Sequence, residues 1–215
     1  MVDSSGSGNG GVPGYEPAHD AVALTLSQAK TAVSRGNWPL AEDRLARLYK
    51  VHRDDLEVAR LLAQVIRERG RIAEAEAVLV DAWKRSNNAA SADLLEARRD
   101  LVLELADLRL EDGRPAEAAR ALKKVLEVEP HQWEALYLLG NAFFDAGHYA
   151  EAEGAYRESL SANPFEAETW WNLGEARDAR GDRAGLVEAL EGWLGVAKDD
   201  EKRPEVEARL IALRS

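Results

Sequence analysis

This chain of 215 residues has no cysteine to provide a thiolate, a disulfide or a sulfur ligand, so its histidines, carboxylates and any activated serine are the groups to test for catalysis. The histidines, His19, His52, His131 and His148, include no pair four residues apart, the spacing that sets two zinc ligands on one helical face. His131 and His148 fall at breaks between periodic segments, where a histidine is normally solvated. There is no G-x-S-x-G elbow and no G-x-x-x-x-G-K phosphate loop. The string Gly6, Gly8 and Gly11 spells G-x-G-x-x-G, but neither a strand before it nor a helix directly after it supplies the context for a dinucleotide. Acid pairs such as Asp54 with Asp55, and Asp199 with Asp200, stand at segment ends, as solvated turns and helix caps do. Carboxylates that hydrolyse glycosides need a closed cleft. The expectation is therefore a protein that is no enzyme and needs neither metal nor cofactor.

What the chain does have is asparagines and aromatics in register on repeating elements. Five glycines, Gly36, Gly70, Gly113, Gly147 and Gly181, are spaced by 34, 43, 34 and 34 residues. Each separates two amphipathic stretches, as a glycine does when it ends a helix in the left-handed conformation. This spacing predicts five helical hairpins, at 22–55, 56–89, 99–132, 133–166 and 167–200, with 90–98 inserted. Seven residues before each glycine stands Ala29, Ala63, Ala106, Gly140 or Gly174, and five after it Ala41, Ala75, Ala118, Ala152 or Leu186. Helices approach closely only where side chains are small, so these columns mark the crossing inside each hairpin. Leu94 and Leu95 continue the apolar stripe of Leu101, Val102, Leu105 and Leu108, so the insertion is expected to lengthen the next helix by about 13 Å.

These columns resemble the tetratricopeptide repeat, with its pattern W-x2-L-G-x2-Y, A-x3-F and P. Repeat four matches through Leu136, Leu139, Gly140, Phe143, Ala152, Tyr156 and Pro164, repeat five through Trp170, Leu173 and Gly174, and Pro130 closes repeat three. In repeat five Arg177 replaces the aromatic, and Gly185, Gly192 and Gly195 weaken the second helix. The resemblance covers residues 22 to about 200. It implies an all-α, right-handed α-solenoid of five hairpins. Residues 1–21 read as a flexible Gly/Ser-rich tail, and 201–215 as a capping helix with Val206, Leu210 and Leu213 on one face.

In the family resembled, the first helices of successive repeats line a concave groove. Repeat positions 2, 5, 9 and 12 share one helical face. They carry Lys30, Arg60 and Arg67 toward the N-terminal end, and acids with Tyr137, Phe144 and Trp171 toward the other. Residues 22–89 hold 12 basic and 9 acidic side chains, whereas residues 99–200 hold 11 and 22. Such a gradient orients an oppositely patterned ligand. The candidate site is Glu134, Tyr137, Asn141, Phe144, Glu168, Trp171, Asn172 and Glu175, with Tyr137 and Trp171 expected to form one aromatic floor. Asn141 and Asn172 occupy the two asparagine positions of the family's carboxylate clamp, and Lys202 matches its second lysine. Tyr137 and Val206 replace its other two cations, which argues against recognition of an acidic C-terminus.

The functional expectation is an adaptor or scaffold that takes a basic or amphipathic peptide segment, or a helix, of another protein. The alternatives are a self-assembling scaffold, forming a homo-oligomer, and a chaperone for a secreted or membrane-associated client. A net charge of −11 works against nucleic acid and anionic lipid. Without a run of about 18 apolar residues or a secretory leader, neither membrane insertion nor export is expected, and the location reads as cytoplasmic.

Overall fold

The computed structural model describes residues 17–86 and 92–214, and all regular structure within them is α-helical. The helices are α1 (Pro17–Ser34), α2 (Trp38–Val51), α3 (Leu56–Glu68), α4 (Ile72–Arg85), α5 (Ala92–Glu111), α6 (Pro115–Val128), α7 (Trp133–Asp145), α8 (Tyr149–Ala162), α9 (Ala167–Ala179), α10 (Arg183–Val196) and α11 (Arg203–Arg214). The first ten pair into five hairpins and α11 closes the end, giving an α-solenoid.

Each hairpin turns at its glycine. Gly36, Gly70, Gly113, Gly147 and Gly181 have φ between 66° and 77°, and a Cβ at any of them would meet only open space, so the backbone angle alone demands glycine. The residue after the glycine then donates back to the last turn, as Asn37 N does to Ala32 O at 2.9 Å and His148 N to Phe143 O at 2.8 Å.

Second helices are uniform at 14 residues, and α3, α7 and α9 each have 13. Two first helices are longer. The α1 helix, of 18 residues, begins at Pro17, inside the segment assigned to the tail, because proline's fixed φ suits a first helical position. The α5 helix has 20 residues, seven more than its counterparts, which adds about 10 Å. Residues 1–16 and 87–91, which hold the rest of the tail and the start of the insertion, lie outside the described residues.

Consecutive helices pack together along the chain, and the first helices also approach one another closely in order, whereas the backbones of the described second helices stand further apart and α2 meets α4 through side chains, the Tyr49 hydroxyl donating to Asp81 at 2.8 Å. An inner layer of α1, α3, α5, α7 and α9 therefore faces the groove. Alanines of the two small columns are at most 2% exposed, which places the hairpin crossings where the sequence put them. Where a column departs from alanine, its partner compensates. A Cβ on Gly140 would lie 2.4 Å from the ring of Tyr156, and one on Gly174 would rest 3.5 Å from Leu186.

The glycines of repeat five do not shorten its second helix. A Cβ on Gly192 would strike the Trp170 ring at 2.4 Å, and one on Gly185 would meet Arg177 and Asp182, so these two make room for large neighbours instead of weakening α10. Arg177 is buried. It donates to Glu153 at 3.1 Å, to the Gly185 carbonyl at 2.9 Å and to Glu188 at 3.2 Å, replacing the family aromatic with a satisfied ion pair. At the end of the array, Val206 and Leu210 are buried against Leu186, Leu190 and Trp193, and Arg183 donates to the Leu213 carbonyl at 2.7 Å.

Candidate partner-binding groove

The inner layer offers a groove because its helices present short or polar side chains between apolar ones. It includes a cavity of about 450 Å³ spanning α5, α7 and α9, with Leu110 and Phe144 as apolar lining, the buried Tyr156 ring behind them, and Asp107, Glu111, Asp145 and Glu175 around them. Asn141 and Asn172 complete the lining. Four of the eight residues singled out from sequence, Asn141, Phe144, Asn172 and Glu175, thus converge on one cavity.

The asparagines are held by their neighbours. Asn141 Oδ1 accepts from the Tyr156 hydroxyl at 2.8 Å and from Asn172 Nδ2 at 3.0 Å. An asparagine amide carries both a donor and an acceptor, the pair of groups a peptide backbone needs, and Asn172 Nδ2 also reaches the Tyr137 hydroxyl at 3.5 Å. Tyr137 lies above them, half-buried, with its ring 6.3 Å from that of Tyr156 and its hydroxyl donating to Glu168 at 3.3 Å. Burial, and then the nearby Glu168 charge, push the Tyr137 hydroxyl pKa up, so it stays a donor at neutral pH.

Trp171, the other aromatic of the expected floor, is partly buried at the end of the array. Its ring packs edge-on to Trp193 at 6.1 Å and is covered by the Lys202 ammonium at 5.5 Å, within the cluster beneath α11. Its contacts are those of a core residue at the end of the array, and no described ring contact joins it to Tyr137. Lys202 and Val206, the remaining clamp positions, serve that cluster as well: Val206 is 2% exposed.

Charge in the groove is more local than a count by region suggests. Arg60 reaches Asp100 and Glu104 at 2.9 Å each, and Arg67 reaches Asp107 at 2.8 Å and also Glu111, so the basic groove residues of repeat two are neutralised by α5. Arg209 of α11 pairs with Glu175 at 3.2 Å and Asp178 at 2.8 Å. Glu134, Asp145 and Glu168 have no ion pair among the described residues. Partial desolvation raises the Asp145 carboxyl above its ordinary value, and desolvation followed by the neighbouring Asp100 does the same for Glu134. Glu111 and Arg209 were not singled out from sequence. Glu111 directly follows Leu110 in the stripe, whereas Arg209 joins the groove only once α11 is docked.

Among the described residues, no group of three or more His, Asp or Glu side chains could hold a metal ion, and no helix is long and apolar enough to cross a membrane. The tetratricopeptide repeat profile matches residues 26–90, 103–167 and 137–199. The chain belongs to the tetratricopeptide repeat family. Similar solved structures share this fold at low identity. MamA from Desulfovibrio magneticus RS-1 is 17% identical, with a TM-score of 0.69 over 85% of this chain and 98% of that one. PilW, described as a widely conserved type IV pilus biogenesis factor, is 16% identical, with a TM-score of 0.72 over 86% of this chain and 82% of its own. YrrB, described as having an unusual peptide-binding site, is 15% identical, with a TM-score of 0.63 over 90% and 98%. No curated protein sequence matches this one. As a tetratricopeptide repeat array, the chain has the fold of a scaffold for protein–protein interaction.

Proposed function

We propose that the chain acts as an adaptor whose inner groove, from α5 to α9, docks a basic or amphipathic peptide segment or helix of another protein. The reading is carried by one observation: Asp145, with no ion pair among the described residues and with a raised pKa, stands at the rim of a cavity whose apolar lining is Leu110 and Phe144 over the buried Tyr156 ring. A cationic side chain next to an apolar anchor would pair with that partly desolvated charge and cover those apolar side chains. Asn141 and Asn172 would then hold the ligand backbone, with Tyr137, Glu134, Glu168 and Glu175 around it. Peptide binding by YrrB, a relative in fold, supports the class of ligand.

An array of peptides placing Lys or Arg beside Leu or Phe, printed alongside versions with Glu in place of the cation, tests this. The full chain should retain the cationic set. Phe144→Ala should weaken the best ligand by about 2 kcal/mol, through lost burial at the centre of the site. Asp145→Asn should weaken it several-fold while shifting stability by no more than about 0.5 kcal/mol, since Asp145 is exposed and its carboxylate has no ion pair among the described residues. Binding should also fall on acidification, and at a higher pH than ordinary carboxyls would dictate, because raised carboxyls take up protons earlier and lose their attraction for a cation. Equal retention of the Glu-substituted peptides, or variants that bind as the parent does, would remove the groove from consideration.

A further inference from the structure

The longer α5 leaves a second recess on the opposite side of the molecule. There α5 forms the floor of an open trench of about 760 Å³ whose walls are α4 and α6. Of the junctions between consecutive repeats, α4 against α5 is the loosest, and the α4 and α6 backbones stand apart. The lining is apolar and partly bare: Leu95 is 54% exposed, Trp83 37% and Val128 75%. The Arg98 guanidinium lies over the Trp83 ring at 4.1 Å and stiffens one wall.

Charge sets this trench apart from the rest of the chain. Six arginines and lysines line it against three glutamates, in a protein whose net charge is −11. Most arginines elsewhere on the array are bound by carboxylates, yet Arg120, Lys123 and Lys124 on α6 form no ion pair among the described residues. Arg120, Lys124 and Val128 follow at intervals of four and so run along one face of α6, flanking the trench. Bare lining argues against a small enclosed ligand, which a site buries over most of its surface. The apolar floor and the interspersed Glu117, Glu127 and Glu129 argue against a phosphate backbone.

We propose that this outer trench docks an acidic amphipathic helix of a partner protein. Apolar anchors spaced by three and four residues would cover Leu95, Val102 and Val128, and flanking Asp or Glu would meet Arg120 and Lys124. Laid between α4 and α6, such a helix extends the outer layer across the gap between them. Its chemistry is opposite to that of the inner-groove ligand, so one array can hold two partners at once.

The test is selection from a phage-displayed library of helical 18-residue peptides on the full chain, with the double variant Arg120→Glu/Lys124→Glu as counter-target. Both positions are exposed, so the fold should be untouched. Clones kept by the parent and lost on the variant should carry apolar pairs at i, i+3 or i, i+4 flanked by Asp or Glu. A synthesised winner should bind the double variant and Leu95→Asp at least tenfold more weakly, and should bind Phe144→Ala as it binds the parent. No discriminating clones, or basic ones, would overturn the proposal. So would competition by single-stranded RNA alone, which would make the trench a nucleic-acid site. A parent dimer that the double variant dissociates would make a second copy the occupant, and a tenfold affinity gain on deleting residues 1–16 would make it the chain's own tail.

Discussion

Gly140 links the packing of repeat four to its groove through a single side chain. The Tyr156 ring fills the space a Cβ would need, at 2.4 to 2.9 Å, and the hydroxyl of that same ring donates to Asn141 in the cavity. Tyr156 is 1% exposed, so it has nowhere to retreat. Gly140→Ala should gain about 1 kcal/mol of helix propensity and lose more to overpacking, for a net cost of about 1 to 2 kcal/mol in chemical denaturation. It should also turn Asn141 and weaken any groove ligand. Gly174→Ala is the control, because its Cβ would make ordinary contacts at 3.5 and 3.6 Å and the propensity gain should dominate. If both substitutions destabilise alike, the Tyr156 ring is not what fixes residue 140 as glycine. The glycine columns were legible in sequence as helix crossings, but Tyr156 as the partner of Gly140, and Leu186 as that of Gly174, required knowing which faces meet.

Between elements, a recurring contact sets how one hairpin sits on the next. A glutamate on the second helix of repeats one, two and four accepts from two arginines of the following repeat: Glu42 from Arg69 and Arg71, Glu76 from Arg109 and Arg114, and Glu153 from Arg177 and Arg180. Repeat three has Ala119 at this position, and the next repeat answers with Phe143 in the column of Arg109 and Arg177, under the Lys123 ammonium at 5.4 Å. The substitution of Arg177 for an aromatic, which looked like decay in one repeat, is half of an alternation that spans two. It was invisible from sequence because the glutamate that answers it lies 24 residues away in another repeat. Glu76 and its partners Arg109 and Arg114 are 16%, 18% and 29% exposed, so Glu76→Gln should cost about 1.5 to 3 kcal/mol. Asp43→Asn, at the exposed Asp43–Arg47 pair, should cost less than about 1 kcal/mol. The Arg114 hydrogen bond holds the Glu76 carboxyl below its ordinary value, and for Glu42 the Arg71 and Arg69 hydrogen bonds outweigh a larger opposing desolvation. A carboxyl depressed in the folded state stabilises fully above its unfolded value, near 4.3, and loses that stabilisation as pH falls through the folded value. Acid unfolding of Glu76→Gln should accordingly begin from lower stability at pH 7 and show a shallower decline below about pH 4.5.

Across the whole array, the joints differ in strength, and α5 is where they differ most. Leu101, Leu105 and Leu108 pack with the core of repeats one and two, while Val102, Leu103 and Ala106 pack with that of repeats three and four. The hairpin pattern and the long α5 could be read from the chain itself, because both follow from local periodicity. A looser joint could not, since it depends on how far the added turns hold α4 away. What compensates on the inner side is ionic: Arg60 and Arg67 each bridge two carboxylates of α5, with side chains 30% to 38% exposed. In an array where stability is a sum of repeat and neighbour-interface contributions, loss of one interface uncouples the parts on either side. Arg60→Ala with Arg67→Ala should therefore turn a cooperative unfolding curve into two steps, and hydrogen exchange should quicken through α1 to α4 while α7 and α9 keep their protection. Raising salt from 0.1 M to 1 M should move the parent in the same direction but less far, because partly exposed pairs are only partly screened. Uniform loss of protection from α1 to α10 would mean that the apolar contacts of α5 carry the joint by themselves and that the arginines only decorate it.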